Sequence, residues 1–241
     1  MKKNLSIEIY FKPEMYLPLP VCIEQIEQIL NIQRDYMHKS QDWYLCASSK
    51  KKSSIYKLFD KEGVTKIGLE KLSIEYQKDR GNYFSEAIWD KETEEASLLY
   101  ILSNESTEQQ KRFKIHIKLN FDLLLSEMQV EPIQNFINAL AKLFNDAYIM
   151  VNGKYAIELS VFPDRLSAGW MLYLPQAELT HETVPESFNV ISVTHQDKVT
   201  GSLVVTTPHF FDEENIDDIK KVNRVDIRLR DLGILPLYAD M

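Results

Sequence analysis

The sequence predicts an α+β fold, with largely antiparallel sheets and amphipathic helices packed on them. Three observations predict it. Two segments alternate apolar and polar residues with the period of a half-buried strand: "LSIEIYF" (5–11) and "RFKIHIKLNF" (112–121). Two others carry apolar residues at helical spacing: "PVCIEQIEQILNIQRDYM" (20–37) and "VEPIQNFINALAKLFNDA" (130–147). The second half then offers a series of short strand-like runs divided by short turns, the pattern of antiparallel neighbours.

Taken in order, Leu5, Ile7, Ile9 and Phe11 form the inward face of the first strand. Val21, Cys22, Ile23, Ile26, Ile29, Leu30 and Tyr36 make the stripe of the first helix, and Pro20 suits its first turn. "DWYLCAS" and "SSIYKLF" read as strands on either side of the basic turn "SKKKS". "LEKLSIEYQKD" (69–79) reads as a short helix stopped near Gly81. "YFSEAIWD" and "ASLLYILS" form a hairpin across the polar loop "KETEE". After the strand at 112–121 and a linker, Ile133, Phe136, Ile137, Leu140, Leu143 and Phe144 line the second long helix. "YAIELSVF", "GWMLYLP", "FNVISVTH", "GSLVVTT" and "RVDIRLR" read as strands, interrupted by one late helix, "DEENIDDIKKVN". Its acids lead and its lysines trail, as the helix macrodipole favours.

A chain of 241 residues can hold one large domain or two smaller ones. The natural division is an N-terminal half, 1–110, and a C-terminal half, 111–241, which can also form one continuous domain. Strand, linker and amphipathic helix recur about 110 residues apart. Two related halves would explain this recurrence, and so would the ordinary frequency of strand-then-helix order.

The net charge is −8, and it is unevenly spread. Residues 1–120 carry 19 Lys/Arg and 18 Asp/Glu, whereas residues 121–241 carry 9 and 18. An acidic half repels phosphate backbones and anionic membrane surfaces, so nucleic acid and membrane are not expected partners. It attracts a basic protein. Cys22 and Cys46 form no disulfide framework and match no zinc spacing. No run approaches the roughly 18 apolar residues of a membrane span. The expected location is the cytoplasm.

Motifs of catalysis are scarce. The five histidines (His38, His116, His181, His195, His209) fit no metal-ligand pattern, and the single glycines of "VNGK" and "VTGS" mark hairpin turns rather than a phosphate loop. An enzyme is not expected, nor is a metal or cofactor. The nearest approach to a catalytic set is Asp164 in "VFPDR", which resembles the first ligand of a metal-dependent nuclease site. Such a site needs a second carboxylate and a lysine on an adjacent strand end. The only later candidate is Gln196-Asp197-Lys198, with glutamine where a carboxylate is required. A metal-dependent hydrolase using Asp164 and Lys198 is therefore the weakest reading. Pro163-Asp164-Arg165 equally suits a plain turn. Trp170 and Tyr173, on the strand that follows, are either core residues or anchors of an interface, where aromatics are enriched.

The strings "VFPDRLSAGWMLYLP", "GSLVVTT" and "RVDIRLRDLGILPLYADM" resemble the immunity protein 52 family, most strongly over residues 155–241. The family comprises bacterial proteins encoded beside polymorphic toxins, including effectors of type VI secretion. The resemblance implies a non-catalytic antitoxin that binds one cognate toxin, typically one with a restriction-endonuclease-like nuclease domain, and occludes it. The family supplies no set of contact residues to carry over; residue chemistry gives as contact candidates Asp164, the aromatics Trp170 and Tyr173, and the acids Asp212, Glu213, Glu214, Asp217 and Asp218. The alternative is a regulatory protein-binding module unrelated to toxin immunity.

Overall fold

The computed structural model describes residues 3–12, 18–37, 42–47, 55–78, 83–90, 99–106, 111–121, 130–154 and 157–241. The turn "SKKKS", the loop "KETEE", the linker at 122–129 and Gly81 lie outside the described residues. The fold is α+β, with helices on antiparallel sheets. The chain forms two compact units. One comprises Met1–Leu5 and Pro13–Leu124; the other comprises Ser6–Lys12 and Leu125–Met241.

The N-terminal unit contains helix α1 (Leu19–Met37), strands β2 (Trp43–Leu45), β3 (Lys57–Asp60) and β4 (Gly63–Val64), helix α2 (Lys66–Lys78), and strands β5 (Tyr83–Trp89), β6 (Leu99–Ser106) and β7 (Lys111–Phe121). Its strands run in the order β7-β6-β5-β2-β3-β4, every neighbour antiparallel. The stripe predicted for α1 is buried at Cys22, Ile23, Ile26, Ile29 and Leu30, although Tyr36 is exposed. Helix α2 begins three residues before the predicted start because Thr65 caps it, its hydroxyl accepting the Gly68 amide at 3.2 Å. Gly68 then lets the helix lie directly on β3: a Cβ there would fall 2.3 Å from the Lys57 carbonyl oxygen.

The C-terminal unit is built on strand β1 (Lys3–Tyr10), helix α3 (Val130–Leu143), strands β8 (Tyr148–Val151), β9 (Met171–Pro175), β10 (Asn189–His195) and β11 (Lys198–Val205), and helix α4 (Ile216–Asp231). Its order is β10-β11-β9-β8-β1, again antiparallel throughout. Register assigns the two faces. Ile9 lies opposite Ile149, and Ile149 opposite Tyr173, which lies opposite Leu203. Tyr173 donates from its hydroxyl to the Asn145 carbonyl just beyond α3, so this is the face α3 covers. The α3 stripe of Ile133, Phe136, Ile137, Leu140 and Ala141 is buried, and Phe144 meets Phe11 edge-on at 5.3 Å. The other face is crossed by the loop after β9, where Ser202 Oγ accepts the Leu179 amide at 2.9 Å. Met171, Leu172, Tyr173 and Leu174 are consequently all buried, which is why this strand reads as a continuous apolar run.

Two expected strands are absent. "RVDIRLR" is the C-terminal half of α4, which runs on to Asp231. Its alternation of Val225, Ile227 and Leu229 mimics a strand, but burial falls on Val222, Val225, Asp226 and Leu229, the helical period, and Ile227 is exposed. "YAIELSVF" is no strand over its described residues: Ile157–Leu159 form a 3-10 turn, and Leu159 and Val161 are exposed. Two strands the sequence hid are β4, only two residues long, and β8, four residues too short and too uniformly apolar to alternate.

Candidate functional site

The acids singled out in the sequence sit where α4 begins, and the local chain explains how they are displayed. Asn215 is the N-cap, its side-chain oxygen accepting the Asp217 amide at 3.0 Å. Asp212 makes the preceding turn, its carboxylate accepting the Glu214 amide at 3.1 Å and its carbonyl the Asn215 amide at 2.9 Å. Beneath them lies Asp218, buried, which takes the Asp212 amide at 3.0 Å and holds His209 Nε2 at 3.0 and 3.1 Å. These bonds fix a loop on which Glu213, Glu214 and Asp217 are exposed. Ile216 stands among them with 51% of its surface exposed. Negative charge in a first helical turn is also stabilising, by about 0.3–1 kcal/mol per group.

The structure divides the sequence candidates. Glu213, Glu214 and Asp217 are brought together on one surface, with Asp212 half-buried beside them. Asp218 is corrected from contact to anchor, because its carboxylate points inward and is spent on the loop's own bonds. Trp170 and Tyr173 are corrected from contact candidates to core, each with 0% exposure. Trp170 donates its indole N–H to the Thr207 carbonyl at 3.3 Å and packs on Phe210, ring centres 5.0 Å apart. Asp164 is exposed in a turn whose carbonyl accepts the Tyr238 amide. It precedes the end of β9 that pairs with Val205, whereas Lys198 opens β11 beyond the Pro175 end. Val205 to Lys198 spans seven residues, about 23 Å of strand. The chain does not converge Asp164 and Lys198 on one ion.

Sequence reasoning missed two buried carboxylates in this unit. Asp226 on α4 accepts the Ala168 amide at 2.6 Å and the Ser167 hydroxyl at 2.9 Å, tying the helix to the loop before β9. Burial pushes its carboxyl up to about 7, against the opposing pull of those two donors. Glu8 on β1 is bonded by the Tyr10 hydroxyl at 2.5 Å and by the Lys154 ammonium at 2.9 Å. Asp226 lies on the buried stripe of α4, whereas Glu8 lies on the face of β1 opposite Ile7 and Ile9, where alternation predicts a wet side chain.

The N-terminal unit holds a groove of about 450 Å³ walled by Leu45, Cys46, Tyr56, Lys71, Leu72 and Glu86. Burial, with the Glu86 charge added, pushes the Cys46 thiol up to about 11, so it is held as an unreactive thiol. Among the described residues no group of three or more His, Cys, Asp or Glu could hold a metal ion. No helix among them is long and apolar enough to cross a membrane.

No protein-family model matches the chain, and no curated protein matches it in sequence. Among solved structures it is similar in fold to one described as "Pseudomonas aeruginosa T6SS protein PA0821", with a TM-score of 0.54. That match covers 97% of this chain and 73% of the other at 12% identity.

Proposed function

We propose that the chain is an immunity protein of a type VI secretion system, which binds a cognate toxin, a basic nuclease domain of restriction-endonuclease type, and blocks it by occlusion. The observation that carries this reading is the acidic loop at the start of α4, pre-shaped by Asp218 and presenting Glu213, Glu214 and Asp217 around an exposed Ile216. A rigid acidic surface with an apolar centre suits a basic protein surface: the charges speed encounter, and apolar burial slows release. The fold of a T6SS protein and the likeness of "VFPDRLSAGWMLYLP" and the C-terminal string to the immunity protein 52 family support the same setting. The protein acts by binding, in the cytoplasm, and carries no cofactor. Blocking a nuclease face calls for an interface on the order of 1,600 Å².

The test is co-expression with the protein encoded by the adjacent gene. Rescue of growth together with co-purification of a stable complex supports immunity. An adjacent product that is harmless alone, or a toxic one that is neither bound nor relieved, removes the reading.

A further inference from the structure

Strand β10 ends the sheet of the C-terminal unit, and among the described residues no strand pairs with its outer side. The directions of its backbone groups follow from three bonds. Thr200 of β11 gives its carbonyl to Gln176 beyond β9, while Val205 gives its carbonyl to the Phe188 amide on the β10 side. The Val193 carbonyl accepts from the Thr200 hydroxyl, so it too faces β11. With Asn189 opposite Val205 and Ile191 opposite Leu203, the odd residues of β10 make the ladder. Val190 and Ser192 therefore point their N–H and C=O groups outward. The Val190 amide is covered only by its neighbour's side chain, Asn189 Oδ1 at 2.9 Å. That cap and the register shift at Val193/Thr194 discourage edge-to-edge pairing of identical chains, yet a side-chain cap is readily displaced by a partner carbonyl.

The surroundings of this edge specify what it takes. The strand itself carries no Asp, Glu, Lys or Arg, and Phe188 at its start is 48% exposed. Acids stand at both ends: Glu178, Glu182 and Glu186 in the loop before it and Asp197 in the turn after it, against Lys198 and against Arg228, whose Nε donates to the Thr183 carbonyl at 2.7 Å. Glu186 is half-buried, and one of its carboxylate oxygens, shielded from solvent, has no hydrogen-bond partner. We infer that β10 is a docking edge for an extended segment of a protein partner, which adds a strand along Val190–Ser192 and sets flanking lysine or arginine side chains against Glu186 and Asp197. This rests on the proposed role as a binder of a basic protein, and it places a second contact on the same unit as the acidic loop.

The test needs no toxin, so its outcome is separable from that of co-expression. The full-length ¹⁵N-labelled chain is titrated with the peptide acetyl-KKVTVTVKK-amide. Saturable shifts confined to β10 and its flanks, with slowed exchange of the Ser192 amide, are expected. A version N-methylated at alternate residues of its bonding edge should bind about 10-fold weaker, the effect of losing two backbone bonds. Ser192→Pro should abolish binding while the fold survives, because its amide makes no bond to β11. Glu186→Gln should weaken the lysine-flanked peptide and leave a serine-flanked one unchanged. Equal binding of the N-methylated peptide, shifts elsewhere, or no saturable binding would overturn the inference. So would concentration-dependent protection of Ser192 without peptide, which would give the edge to a second copy of the chain.

Discussion

Asp218 lies under His209, its two carboxylate oxygens 3.0 and 3.1 Å from Nε2, and one of them also accepts the Asp212 amide. The neighbouring Asp217 points into solvent. Two identical residues, adjacent in sequence, thus differ wholly in role. We expect Asp218→Ala to lower stability by about 1–3 kcal/mol, since it strips a buried acceptor from the Asp212 amide. Asp217→Ala should stay within about 0.5 kcal/mol of the parent. Thermal melts and exchange of the Asp212 amide measure both, and equal effects would mean the loop is not built on Asp218.

If the proposed role holds, reversing Glu213, Glu214 and Asp217 to lysine should leave the fold intact and slow association with the proposed toxin. A loss of about 10-fold or more in on-rate at low salt is expected, shrinking as salt screens the parent's advantage. Stopped-flow or surface-plasmon kinetics against the co-purified toxin read this directly. An unchanged on-rate with unchanged salt dependence would dismiss electrostatic steering by this loop.

Asp226 links stability to pH. Its carboxyl titrates near 7 in the folded chain, against an ordinary value of 3.8. A group whose folded value is raised contributes stability that is complete below the ordinary value and lost as pH rises through the folded one. Asp226→Asn keeps an acceptor for the Ala168 amide without the charge. The melting temperature of this variant should therefore gain on the parent as pH rises from about 4 to about 8. A difference between the two that stays flat across this range would show that Asp226 is ionised throughout.

Trp170→Ala should cost about 3–5 kcal/mol, as expected of a fully buried tryptophan. Tyr173→Phe, which leaves the Asn145 and Thr200 carbonyls without its hydroxyl, should cost about 1–3 kcal/mol. Neither should alter affinity for the proposed toxin per folded molecule. Titration calorimetry normalised to the folded fraction tests this, and a large affinity loss in stably folded Tyr173→Phe would contradict it.

The sequence was legible wherever one face of an element is wet or polar. α1 and α3 carry clear periods because burial is one-sided, and β1 alternates because its second face, though buried at Glu8 and Tyr10, is lined by polar groups. β8 and β9 do not alternate, being buried on both faces, and β9 was found through its flanking turn. The second half of α4 failed because Val225, Ile227 and Leu229 satisfy a strand's period as well as Val222, Val225 and Leu229 satisfy a helix's. The inward acid was within reach: Asp218, Val222, Val225 and Leu229 fall at i, i+4, i+7 and i+11, which puts that carboxylate on the core stripe. The directions of the β10 amides were beyond reach, since they depend on which residues of β11 face it.

Strand β1 carries a further consequence. Ser6–Lys12 belong with residues from 125 onward, and the Ser6 amide is bonded to Asn152, 146 positions away. The ribosome thus releases this strand more than a hundred residues before its sheet neighbours. The C-terminal unit cannot close until β8 to β11 have emerged, and its contacts must pay a long loop-closure entropy, which slows folding. A fragment starting at 125 would lack Ile7, Ile9 and Phe11 and leave β8 paired on its β9 side alone. To isolate this unit, residues 6–12 must be rejoined to it, most simply by circular permutation.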